Sequence, residues 1–183
     1  MLFCAQSVML LEIVSRDEWG ARRAKDVDLI NQTVPYVIIH HSYSPLSCNS
    51  SEECVTAMQR MQRYHQVERA GDGKVYEGRG FNVIGAHAPG YNNRSIGICL
   101  IGDFGKQDAI PTNEMLQATK DLIQHAVEKQ YLSNNYTLFG HKQVRATSCP
   151  GEALYNEIQS WPHFGIKDDE IKFISLKKIL QIL

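Results

Sequence analysis

Apolar and polar positions along this chain follow two periods, and the changes between them mark out its elements. Residues 34–40, VPYVIIH, form a β-branched run behind a proline and read as a buried strand. Ser50 and Glu53 stand at capping-box spacing and open a predicted helix running towards Glu68, with Val55, Met58, Met61 and His65 along one stripe. The GDG turn at 71–73 follows. KVYEG then reads as a strand, and SIGICLIG (95–102) as another buried strand. The clearest amphipathic helix covers 112–130, where Met115, Leu116, Thr119, Leu122, Ile123, Ala126 and Val127 recur at helical spacing behind the N-cap candidate Thr112. YTLFGH (136–141) reads as a strand, and GEALYNEIQSW as a terminal helix stopped by Pro162. Strands alternate with helices, which predicts an α/β fold. GRGFNVIG (78–85) follows a strand but opens no helix, so it reads as a turn and not a dinucleotide fingerprint.

Composition narrows the class without naming a function. At 183 residues and 43% hydrophobic content, the chain can build one full core and is not disordered. The net charge of -1 carries no basic excess for nucleic acid and no acidic tail. No apolar stretch is long enough to span a bilayer. Three segments are expected: an N-terminal extension (1–13), one domain (14–164) and a C-terminal tail of different character (165–183).

The candidate chemistry lies in GHKQVRATSCPG (140–151), which sets His141 eight positions before Cys149. His40 and His41 lie far upstream at the end of an apolar run. His40 closes one predicted strand and His141 another, and strand carboxyl ends are where α/β folds collect functional groups. Two imidazoles and a thiolate would hold zinc with the fourth position open, the catalytic arrangement, and would suggest metal-assisted hydrolysis of an amide or ester. The spacing alone leaves other readings open. A His-His pair is often one buried and one exposed residue, a lone cysteine is often core packing or half of a disulfide, and a Cys-His protease would use the same residue types. Cys48 and Cys54 bracket the polar loop CNSSEEC and could close a small disulfide ring, which implies an oxidising compartment. Sequons at Asn31, Asn49, Asn93 and Asn135 agree with secretion. The N-terminus shows no basic region ahead of its apolar patch, and Glu12 interrupts it, so a signal peptide is not evident. The expectation is a secreted protein, with a cytoplasmic one as the alternative.

The strings SRDEWGAR, PYVIIHHSY, CNSSEEC, MQRYHQVER, GDGKVYEGRGFNVIGAHAPGYN, SIGICLIGDF and GHKQVRATSCPGEALYNEIQSWPHF together resemble the animal peptidoglycan recognition proteins, most closely the insect amidase-type members. The resemblance spans 14–164. It implies a central mixed β-sheet flanked by helices, similar to the phage lysozyme-type amidases. It also implies a zinc-dependent N-acetylmuramoyl-L-alanine amidase that binds bacterial peptidoglycan and muropeptides, with a role in innate immunity. On that pattern His40, His141 and Cys149 are the zinc ligands. Members that only bind typically lack this cysteine, so its presence favours the catalytic branch. Thr147 matches a position that supports the transition state, the stem-peptide contacts map onto His65, Arg69, His87 and Asn92, and Cys48 with Cys54 match the family disulfide.

One departure stands out. After HQVER the family continues with a Gly-Trp-like pair, Asn-Asp-Ile-x-Tyr-x-Phe and a strand before the GDG turn. This chain runs from Arg69 through Ala70 to Gly71, about a dozen residues short, the length of a strand and its lead-in. The absent block carries the family's active-site tyrosine, which helps position the attacking water, and a pair that helps discriminate diaminopimelate-type from lysine-type peptides. The expectation is a sheet lacking one strand, with unpaired backbone groups costing about 1–3 kcal/mol each when buried. Re-pairing by another segment is the alternative to a compromised fold, with 171–176 (IKFISL) the candidate. The departure also supports an alternative function: a non-catalytic peptidoglycan-binding or regulatory form.

Overall fold

The computed structural model describes residues 11–24, 26–44, 46–62, 68–69 (backbone only), 72–106 and 109–166. Its elements run β1 (Ile13–Val14), β2 (Val34–His41), α1 (Ser51–Gln62), β3 (Glu68–Arg69), β4 (Val75–Tyr76), β5 (Ser95–Leu100), α2 (Asn113–Glu128), β6 (Leu132–Gly140), α3 (His141–Val144) and α4 (Glu152–Ile158). The sheet order is β1-β4-β3-β5-β2-β6. β2 pairs in parallel with β5 and with β6, while β3 pairs antiparallel with β4. The fold is therefore α/β, with a mixed sheet and helices on its faces.

Central placement explains β2. Val37, Ile38 and Ile39 are wholly buried, so both faces of the strand need apolar side chains. Each such burial contributes about 1.5–3 kcal/mol. Alternation along the strands separates two apolar clusters. Val75, Ile98 and Leu100 join Val37 and Ile39 beneath α2 and α4, whereas Tyr76 and Ile101 face α1 with Trp19 and Met58. α2 buries Met115, Ala118, Leu122, Ile123 and Ala126, and Thr112 caps it by accepting the Met115 N–H at 3.3 Å. His141, expected to end the last strand, is instead the first residue of α3. The Gln143 side chain accepts the Gly140 N–H at 2.9 Å and so turns the chain there. The predicted first helix is described as far as Gln62, so His65 lies outside the described residues.

The strand between β4 and β5 in the sheet is very short. β3 contributes two residues: Arg69 pairs with Leu100 of β5 on one side, and Glu68 and Arg69 pair with Tyr76 and Val75 on the other. The re-pairing therefore comes from 68–69, where the sequence pattern has the first helix running towards Glu68 and no strand, and 171–176 lies outside the described residues. Where β4 and β5 lack a full neighbour, a cavity of about 230 Å³ opens, walled by Val75, Ile96, Ile98, Leu122 and Phe81 and reaching His87. β1 straddles the boundary expected between 13 and 14, with Leu11 and Ile13 packed on the main cluster.

Cys48 and Cys54 form a disulfide over a separation of six residues, and both are buried beside α1. Closing so short a loop restricts the unfolded chain modestly. A Cys48→Ser/Cys54→Ser variant is expected to lose about 2 kcal/mol. Urea midpoints of the variant and the parent check this, and an unchanged midpoint would show that the bridge is not a staple of the α1 end.

Candidate metal centre

Register brings the candidate ligands together. Ile39 of β2 lies opposite Gly140 of β6, so His40 and His141 follow the paired positions on adjacent parallel strands. His40 points to the face opposite α2, because Val37 and Ile39 occupy the α2 side. The loop after α3 returns Cys149 to the same place: the His41 N–H donates to Cys149 Sγ at 3.3 Å, and Sγ lies 3.8 Å from His40 Nδ1. The His40 and His141 rings are 4.3 Å apart. One nitrogen from each histidine and the Cys149 sulfur all lie within 4.8 Å of one another.

The residues fit a metal ion on the chemistry of the molecule itself. Both ring nitrogens of His141 are buried and have no hydrogen-bond partner among the described residues. A polar atom in that position is ordinarily satisfied, and ligation would satisfy one of the two. Bonds of about 2.0–2.3 Å to a shared ion put tetrahedral ligand atoms roughly 3.3–3.7 Å apart, so the two imidazoles and the thiol would draw slightly closer together to hold one. Burial lowers the pKa of His40 well below its usual value, with repulsion from His87 and His141 adding to the effect. Burial, then Arg145, lowers that of His141. Both rings are thus neutral near pH 7, the form that ligates. Burial pushes the Cys149 thiol up to about 11, against the His41 N–H, so binding a metal there must release the thiol proton.

His41 is the member of the pair that does not face this cluster. Its Nδ1 accepts the Phe104 N–H at 3.2 Å and lies 3.9 Å from Asp103. Thr147 is exposed, and its Oγ1 accepts the Cys149 N–H at 3.2 Å, shaping the loop that carries the thiol. The Asn92 side-chain oxygen accepts the N–H groups of His87 and Ala88 at 2.9 and 2.8 Å. The His87 ring meets His40 Nε2 at 3.0 Å. Arg69 places its backbone in β3. Sequence reasoning passed over Ser95, which lies 3.4 Å from the far nitrogen of His87, because one serine at the head of an apolar strand carries no periodic signal.

These neutral histidines make a prediction for the metal-free protein. A folded pKa below the unfolded one means that stability is complete above about 6.5 and is lost as pH falls towards the folded value. For His87, which burial holds down to about 4, the loss between pH 7 and pH 5 is on the order of 2 kcal/mol. Denaturation midpoints of metal-free protein at the two pH values check it, and equal midpoints would mean that the rings accept protons without cost.

The family profile described as N-acetylmuramoyl-L-alanine amidase matches residues 30–152. Peptidoglycan-recognition protein LB of Drosophila melanogaster is 49% identical over 175 residues, covering 89% of this chain and 75% of that protein. The solved structure of Drosophila peptidoglycan-recognition protein LB superposes with a TM-score of 0.83 at 47% identity, over 86% of this chain and 99% of that one. A mutant of the same Drosophila protein in complex with tracheal cytotoxin superposes with a TM-score of 0.81 at 47% identity, over 84% and 96%.

Proposed function

The chain belongs to the peptidoglycan-recognition proteins of the N-acetylmuramoyl-L-alanine amidase family, and from that premise we propose that it is a zinc-dependent amidase cleaving the bond between the muramyl group and the L-alanine of the stem peptide. The observation that carries this reading is the convergence of His40, His141 and Cys149, with neither His141 nitrogen partnered among the described residues. Two nitrogens and one sulfur leave a fourth tetrahedral position for the reaction, as in catalytic zinc sites. A zinc ion bound there would polarise the amide carbonyl and make water acidic enough to attack near neutral pH. The protein's part is to hold that ion with two neutral imidazoles and the Cys149 sulfur, and to shed the thiol proton as it binds. The His41 N–H directed at Sγ stabilises the resulting thiolate. Thr147, one turn of loop away on the solvent side, is the proposed support for the transition state.

The proposed ligand is bacterial peptidoglycan or its muropeptides, consistent with the tracheal cytotoxin bound by the Drosophila relative. The stem-peptide contacts proposed from the family pattern are His65, Arg69, His87 and Asn92, and the proposed domain is 14–164 between an N-terminal extension and a C-terminal tail. Secretion and a role in innate immunity are proposed on the likeness to the family, and the Cys48–Cys54 disulfide supports the first. Among the described residues no helix is long and apolar enough to cross a membrane.

A second reading, binding without turnover, is favoured by the short link after β3: the resemblance puts the family's tyrosine block after Arg69, and this chain has only Ala70 there before Gly71. Incubation with insoluble peptidoglycan separates the two. The amidase reading expects zinc-loaded protein to release soluble stem peptide, and to stop when the metal is chelated. Retention on the pellet with no peptide released at full zinc loading would overturn it in favour of binding alone.

A further inference from the structure

We propose that His87 is a positioning residue that fixes the tautomer of His40, turning the Nδ1 lone pair of His40 towards the metal site through a one-way hydrogen-bond chain that ends at the Tyr91 carbonyl. The proposal deepens the metal reading and rests on it. Proton inventory sets the direction of the chain from its far end. Ser95 Oγ lies 2.7 Å from the Tyr91 carbonyl oxygen, which can only accept, so the single hydroxyl proton of Ser95 points there. With that proton committed, Ser95 Oγ must accept from His87 Nε2, 3.4 Å away, so Nε2 carries the proton of the His87 ring. In a neutral ring the other nitrogen, Nδ1, is then an acceptor, and it lies 3.0 Å from His40 Nε2. His40 therefore donates from Nε2. The nitrogen left with a lone pair is Nδ1, the one that lies 3.8 Å from Cys149 Sγ. The reverse direction would leave two oxygens 2.7 Å apart with no proton between them and would put the His40 proton in front of the sulfur.

The ring is also seated so that it holds this geometry. A Cβ at Gly97 of β5 would lie 2.6 Å from the His87 ring, and so would one at Gly85, so the imidazole rests directly on two stretches of bare backbone. Asn92 fixes the His87 backbone through the N–H groups of His87 and Ala88. Ser95 is buried, which shields the far end of the chain from water. Partners behind a metal-ligating imidazole orient it and set its tautomer, and their loss typically costs about 10–100-fold in metal affinity.

The test has one arm that needs no metal. Long-range 15N–1H correlation spectra of the metal-free protein assign the His40 tautomer, and the proposal expects the proton on Nε2. A His40 ring protonated on Nδ1 would overturn it. The second arm measures zinc affinity by chelator competition in His87→Leu, which removes the acceptor, and in His87→Asn, whose side-chain oxygen restores one near the Nδ1 position. The expected result is a loss of about 10–100-fold for Leu and recovery to within about threefold of the parent for Asn. Equal losses in both variants, or full affinity in His87→Leu, would overturn the positioning role. If the parent itself binds no zinc, the metal reading fails, while the tautomer spectrum still decides the hydrogen-bond chain.

Discussion

Replacing Cys149 with serine is expected to lower zinc affinity by about two to three orders of magnitude and to reduce stem-peptide release to background, while leaving the metal-free fold intact. The magnitude follows from the apparent binding energy of structural zinc sites, about 10–16 kcal/mol over four ligands, or roughly 2.5–4 kcal/mol for each. Cys149 is the one ligand of the three that binds as an anion, and a serine hydroxyl at the same position stays protonated near neutral pH. The fold should tolerate the change because the loop is held by backbone. The Cys149 N–H still reaches Thr147 Oγ1, and the serine oxygen can still accept the His41 N–H that now points to sulfur. Isothermal titration with zinc and a denaturant melt of the metal-free variant read the two halves separately. Undiminished zinc affinity would remove Cys149 from the ligand set. A collapsed melt would instead make the cysteine a core residue.

Gly151→Ala should produce the largest loss of stability of any single methyl addition near the site. Gly151 has φ of 85°, in the left-handed region, and a Cβ there would lie 2.2 Å from the Phe104 carbonyl carbon and 2.4 Å from the Gly105 nitrogen. Both are backbone atoms that cannot swing aside. The left-handed conformation costs about 1–2 kcal/mol for a residue with a Cβ, and forcing packed backbone apart about 1–3 kcal/mol more. The sum, about 2–5 kcal/mol, is a large share of a typical domain stability of roughly 5–15 kcal/mol. Zinc affinity should fall with it, because the same displacement moves Cys149, two positions upstream, and the Phe104 N–H that holds His41. Gly90→Ala is the matched control, with the same φ of 85° and, among the described residues, no heavy atom within 4 Å of the added Cβ. It should cost about 1–2 kcal/mol. Equal urea midpoints for the two variants would mean that the loop carrying Cys149 yields freely at Phe104.

Much of this architecture is legible in the sequence where one physical signal dominates. Residues 34–40 are β-branched because β2 is buried on both faces, and the 3.6-residue period of α2 survives because one stripe faces the main cluster and the other faces water. The spacing of Cys48 and Cys54 indicates a small ring, and they form one. The metal cluster is legible only in part. Strand ends suggest His40 and His141, but that β2 and β6 are adjacent and in register is a fact of sheet order, which no local pattern encodes. β3 escaped notice because two residues cannot display a period, and their pairing depends on what a shortened connection can reach. The contact of His87 and Ser95 behind His40 depends on the turn from 85 to 95 folding back over β5. Its local traces are Gly85 and Gly97, where only a residue without a Cβ leaves room for the ring.

The central claim is that His40, His141 and Cys149 hold zinc for hydrolysis of one particular amide. The most direct measurement is mass spectrometry of a defined disaccharide muropeptide incubated with the full, zinc-loaded chain. The expected products are the peptide-free disaccharide, retaining its lactyl carboxylate, and the stem peptide with a free L-alanine amine, neither of them formed after chelation. Intact muropeptide after prolonged incubation with protein carrying one zinc per chain would contradict the claim.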